Sequence, residues 1–160
     1  MTKKSENIED LPMIGWREWV KLPELGVNWI KVKVDTGARS SAIHAFDLEE
    51  FNKGNDKWVR FKVFTAQRSE KKVVETEAKI LEYRSVRNSG GIAEMRPVII
   101  TTMKLLDMDW EIELTLANRD GMGFRMLLGR QAVRRNLVID PGGSYYSRKP
   151  KRKKKKSKKS

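Results

Sequence analysis

The strongest constraint on how this chain can fold is an alternation of apolar and polar residues with a period of two. It recurs in Trp29-Ile30-Lys31-Val32-Lys33-Val34, in Trp58-Val59-Arg60-Phe61-Lys62-Val63-Phe64 and in Trp110-Glu111-Ile112-Glu113-Leu114-Thr115-Leu116. Successive side chains of a strand point to opposite faces, so each run can bury one face and wet the other. Further β-prone runs lie at Ile14 to Leu22, Val73 to Tyr83, Pro97 to Thr102, Phe124 to Arg130 and Leu137 to Asp140. Pro23-Glu24-Leu25-Gly26 turns the first run into a hairpin, and Arg87-Asn88-Ser89-Gly90-Gly91-Ile92 turns a later, longer one. Ser41 to Phe51 is short and mixed and closes on a turn at Asn52-Lys53-Gly54-Asn55, while Gln131 to Asn136 suits one or two helical turns. Many short strands at close spacing, with one brief helix near the end, predict an all-β fold closed into a barrel.

Charge divides the chain into a body and two ends. Of 34 Lys and Arg, ten lie between Arg148 and Ser160 with no acid among them, which leaves 24 basic against 21 acidic residues, a net +3, elsewhere. Residues 1–11 are polar and aperiodic and residues 148–160 repel themselves, so both are expected to be disordered around a single domain at 12–147. The chain has no Cys, which rules out disulfides and thiolate zinc sites and fits a reducing compartment. It has neither a signal-like apolar start nor a run of the roughly 20 apolar residues a membrane span needs. A cytoplasmic protein that does not engage a membrane is expected.

The chemistry concentrates at Val34-Asp35-Thr36-Gly37-Ala38, where an alternating strand ends in a carboxylate followed by small residues. Two carboxyls about 3 Å apart cannot both ionise; sharing one proton, one activates water and the other protonates a carbonyl. This chain carries the triplet once, so catalysis here requires a second copy across a homodimer axis. Thr36 offers a hydroxyl to lock the paired loops, Gly37 allows close backbone approach, and Ala38 keeps the cleft floor shallow.

The order of this motif, the hairpin at Asn88-Ser89-Gly90-Gly91, and Met126-Leu127-Leu128-Gly129-Arg130-Gln131 before a short helix resembles a retropepsin, the single-domain aspartic protease that dimerises. Ile14-Gly15-Trp16-Arg17-Glu18-Trp19-Val20, Lys33 to Ala45 and Leu127-Leu128-Gly129-Arg130 are similar to a bacterial retropepsin-like family often labelled "ATP-dependent zinc protease". The resemblance covers roughly residues 12–147. It implies a homodimeric aspartic peptidase with Asp35, Thr36 and Gly37 as catalytic residues and Ala38, Arg39, Ser89, Gly90 and Gly91 facing substrate under a flap. Gly129 and Arg130 support the site. Relatives are associated with ATP-grasp glutamate ligases, which implies a substrate with acidic or glutamylated tails. Viral retropepsins carry an acid at the position of Arg39, and that acid pairs with the arginine matching Arg130. The departure removes Arg130's usual partner and lets Arg39 attract substrate carboxylates.

Neither metal nor nucleotide is expected as a cofactor. A zinc site wants three or four Cys, His or carboxylate ligands, and His44 is the one histidine, read as structural or substrate-facing. No Gly-rich loop followed by Lys and Ser or Thr is present to hold ATP phosphates. Trp16, Trp19, Trp29, Trp58 and Trp110 are expected in core or interface packing, and Asp47, Glu49, Glu50, Asp107 and Asp109 in solvated turns. Two rival functions stand beside the peptidase. One is a non-catalytic barrel docking on ribosome or nucleic acid through its Lys-rich tail, and the other is the zinc protease of the family label.

Overall fold

The structure, a computed structural model, describes residues 8–66, 71–87, 90–118 and 123–147. Ile8–Asp10, inside the aperiodic amino-terminal segment, form a 3-10 turn. The first β-prone run is two strands, β1 (Met13–Gly15) and β2 (Arg17–Leu22), broken at Trp16. Pro23–Leu25 form a 3-10 turn that ends at Gly26 with φ 72, a left-handed conformation that costs glycine little. The strand β3 (Val27–Asp35) then returns antiparallel to β2, with Trp19 opposite Lys31 and Arg17 opposite Lys33.

The chain continues through β4 (Ser41–His44), β5 (Phe46–Lys53), β6 (Asp56–Phe64), β7 (Val73–Arg87), β8 (Ala93–Leu105) and β9 (Met108–Ala117). It ends with β10 (Met126–Gly129), the short helix α1 (Arg130–Val133) and β11 (Val138–Asp140). The main sheet runs β2-β3-β10-β4-β9-β8-β7-β6-β5, β2 also meets β8 through Lys21 and Lys104, and β1 pairs in parallel with β11. The protein is thus almost wholly β with one brief helix. The inward members of the alternations make one core: Val20, Ile30, Val32, Phe61, Met103, Leu114, Leu116, Met126 and Leu128 are essentially inaccessible. Among the described residues no helix is long and apolar enough to cross a membrane.

Two local expectations are corrected. Ser41 to Phe51 is not a mixed connection but β4 and most of β5; four residues with three buried show no period from which a strand could be read. Asp47, Glu49 and Glu50 therefore sit on a strand rather than in turns, and they pair across to Lys62, Arg60 and Lys57 of β6 at 3.2, 3.9 and 3.5 Å. The tryptophans lie around the rim of the core. All five are half-buried; Trp110 packs on the core and donates its indole N–H to the Ala132 carbonyl at 3.0 Å. The other four carry cations over their rings, as with Lys53 4.2 Å above Trp58.

The carboxy-terminal segment is fastened to β2 by a buried carboxylate. Glu18 is 0% exposed and accepts hydrogen bonds from the backbone amides of Gly15, Tyr146 and Ser147 at 2.7, 3.0 and 2.8 Å, and from Ser147 Oγ at 2.6 Å. The Ser147 hydroxyl oxygen in turn accepts from the Trp19 amide at 2.9 Å.

Candidate active site

Asp35 is the last residue of β3, and its position follows from how β10 is buried. All four residues of β10 are buried, and the strand lies parallel to β3 with Leu128 opposite Val34 and Gly129 opposite Asp35. β10 is also antiparallel to β4, with Leu127 opposite Ala42. The strand that delivers Asp35 and the strand that leaves its turn thus share one central partner.

Between β3 and β4 the chain makes a tight turn tied down by backbone. The Ala38 amide donates to the Asp35 carbonyl at 3.1 Å, and the Gly37 amide donates to the Asp35 carboxylate Oδ1 at 3.1 Å. That second bond orients the carboxyl. The first amides of α1, which have no partner inside the helix, supply the next two bonds: Arg130 N–H to the Ala38 carbonyl at 2.9 Å and Gln131 N–H to the Arg39 carbonyl at 3.1 Å.

Gly129 is required by contact. A Cβ there would lie 2.5 Å from the carbonyl carbon and oxygen of Ser40, while the Gly129 amide donates to the buried hydroxyl of Ser41 at 3.0 Å. The Arg130 guanidinium, expected to lack a partner, sits with Nη1 3.3 and 3.4 Å from the carbonyl oxygens of Thr36 and Gly37. These two backbone carbonyls receive the guanidinium in place of the acid. Sequence reasoning missed Ser41 and the Trp16 carbonyl, which accepts from Val34 N–H at 2.8 Å. Both lie within the segments that carry the family resemblance, and a hydroxyl beside the motif was the available signal for Ser41.

The structure therefore brings Asp35, Thr36, Gly37, Ala38, Arg39, Gly129 and Arg130 together. Asp35 and Ala38 are half-buried, whereas Thr36, Gly37 and the Arg39 side chain are exposed, and Arg39 makes no ion pair among the described residues. Gly90 and Gly91 belong to a separate element, the tip of the β7–β8 hairpin, where Gly91 has φ 78 and Arg87 Nη1 donates to its carbonyl at 3.2 Å. Ser89 lies outside the described residues. His44 is buried in an aromatic stack, 6.1 and 5.9 Å from the rings of Phe46 and Phe64. Among the described residues no group of three or more His, Cys, Asp or Glu could hold a metal ion, so a zinc site does not fit the residues there.

An almost all-β chain with an Asp-Thr-Gly turn braced by Gly-Arg is the arrangement of a retropepsin-like protein. Residues 13–150 match the RimB-like family, described as retropepsin-like aspartic endopeptidase RimB, and the chain belongs to it. It is 46% identical over 129 residues to a probable alpha-L-glutamate ligase of Desulfotalea psychrophila, and 44% identical over 133 residues to one of Parasynechococcus marenigrum. Those matches cover 81% and 83% of this chain but 28% of each relative's length. A solved structure of a Legionella pneumophila protein of unknown function is similar with a TM-score of 0.71 at 26% identity, over 86% of this chain and 98% of that one.

Proposed function

We propose that the protein is an aspartic peptidase, a homodimer of closed barrels whose two Asp35 carboxylates hydrolyse peptide or glutamyl amide bonds in acidic or glutamylated protein tails. The observation that carries the reading is the bracing of Asp35: register with Gly129, the Gly37 amide on its Oδ1, and the turn pinned by Arg130. The amide bond alone is common to turns, since Gly142 makes the same bond to Asp140; the register with Gly129 and the Arg130 contacts are the additional support. The turn from Asp35 to Ser41 holds a single acid, so the second carboxyl of the pair comes from another copy of the chain. Thr36 and Gly37, exposed beside it, suit the contact between the two loops.

Arg39 is a cation at the site with no ion pair among the described residues, so it is available to a substrate carboxylate. The relatives named as glutamate ligases contain a region like this chain within a longer protein. We attribute the ligase activity of their name to the remainder, and the shared polypeptide couples this domain to a glutamylated product. The hairpin tip at Ser89-Gly90-Gly91 serves as a flap that excludes water. Residues 12–147 form the working domain in a cytoplasmic setting.

Asp35→Asn tests the mechanism on glutamate-rich peptides. Loss of the general acid/base lowers turnover about 10²–10⁴-fold while the melting temperature and dimer mass stay unchanged. Hydrolysis surviving in Asp35→Asn but abolished by a chelator would establish the metalloprotease instead. Absence of hydrolysis in the parent chain, with nucleic-acid binding retained, would establish the non-catalytic barrel.

A further inference from the structure

We infer that the outer face of the β2–β3 hairpin is a docking surface for single-stranded nucleic acid. The alternation that buries Glu18, Val20, Ile30 and Val32 turns Arg17, Trp19, Lys21, Trp29, Lys31 and Lys33 to the other side, four cations and two indoles with no acid before Asp35 at the end of β3. The register sets like charges against each other, Arg17 opposite Lys33 and Lys21 opposite Lys104. Such pairs cost stability in a sheet. None of these five cations has an ion pair among the described residues, and Arg17 Nε is buried with no hydrogen-bond partner. The β5–β6 pair, by contrast, matches acid to base along its length. An unbalanced positive face of this kind is complementary to a polyanion.

The aromatic rings decide which polyanion. Trp19 and Trp29 line a cleft of about 450 Å³ with Lys31, Lys72 and Val74, and no acid lies along it. Tyr145 lies beside Trp19, with Arg17 4.8 Å and Lys31 5.6 Å from its ring. Rings interleaved with cations receive bases and phosphates in alternation. A glutamate chain would engage the cations alone, whereas nucleotides engage both the cations and the rings. The end of the described chain lies close by: Ser147 is held to Glu18 and to the Trp19 amide, and ten Lys and Arg follow it in the sequence.

The inference does not depend on the peptidase reading. The test uses the full chain, a labelled oligo-uridylate and an oligo-thymidylate of about 12 nucleotides, and a poly-glutamate peptide of equal charge. Binding is followed by anisotropy and by tryptophan emission, to which the tail, having no Trp, is silent. Expected are quenching on oligonucleotide addition, about tenfold weaker binding for Trp29→Ala with recovery in Trp29→Phe, and a salt slope lower by about one for Lys31→Gln. Uridylate and thymidylate arms both report stacking, and either one binding more tightly than poly-glutamate supports the proposal. Unchanged binding in both Trp29→Ala and Lys31→Gln, or tighter binding of poly-glutamate than of either oligonucleotide, overturns it.

Discussion

Glu18 accepts four hydrogen bonds without exposing any surface, and its burial joins two segments distant in sequence. Replacing it with Ala leaves those donors without an acceptor, at about 1–3 kcal/mol for each that water does not reach. We expect Glu18→Ala to lose about 3 kcal/mol or more in urea unfolding; an unchanged midpoint would show that the clamp carries no stability. Gly129 makes a different demand, for space. Gly129→Ala drives a methyl into the Ser40 carbonyl at 2.5 Å, so overpacking of about 1–3 kcal/mol should appear together with reduced hydrolysis as the Asp35 turn shifts. Stability and activity matching the parent would refute the required close approach. Arg130 shows why residue-level reading stops short: its charge was legible, but its partners are carbonyl oxygens, which no side-chain pattern encodes.

At the scale of elements, the turn after β11 contains a contact with opposite acid and alkaline limbs. Tyr146 Oη donates to Asp140 Oδ2 at 2.7 Å and the Gly142 amide to Oδ1 at 3.0 Å, which hold the Asp140 pKa below its ordinary value; the same tyrosine bond raises the Tyr146 pKa. The Asp140 contribution to stability is complete above the unfolded value of about 3.9 and is lost as pH falls through the lowered folded pKa. The Tyr146 contribution is complete below about 10 and is lost as pH rises through the raised one. Both groups meet solvent, so the effect is small. Thermal melts of Tyr146→Phe should fall below the parent near neutral pH and converge with it near pH 2, and a constant offset across that range would refute the linkage. The strands with clear alternation, β3, β6 and β9, were legible because one face of each is buried. β4 was not, since three of its four residues are buried and leave no period.

For the whole molecule, the proposal makes activity a property of two chains. Titrating Asp35→Asn into parent protein under exchange conditions should lower hydrolysis more steeply than the fraction of parent chain remaining, because a mixed pair holds one acid only. A linear fall would mean that one chain suffices. Sedimentation should give a dimer mass for the parent, independent of residues on the β2–β3 face if that face serves nucleic acid rather than self-association.

What the amino-acid sequence determined by itself was the kind of backbone and the place of the motif carboxylate along it. Period-two alternation leaves a strand one way to bury its apolar side, and Asp35 at the end of such a strand is in a position to be presented. Only the tertiary structure decided what holds Asp35 there, because the parallel register with Gly129 and the bonds from Arg130 and Gln131 join segments about 90 residues apart. It also decided which cations stay unpaired. Lys62 and Lys31 look alike in an alternating run, yet one faces Asp47 across a strand while the other faces Trp19 among further bases. Strand pairing is long-range and independent of local pattern, so charge balance on a face becomes visible only once the register is known.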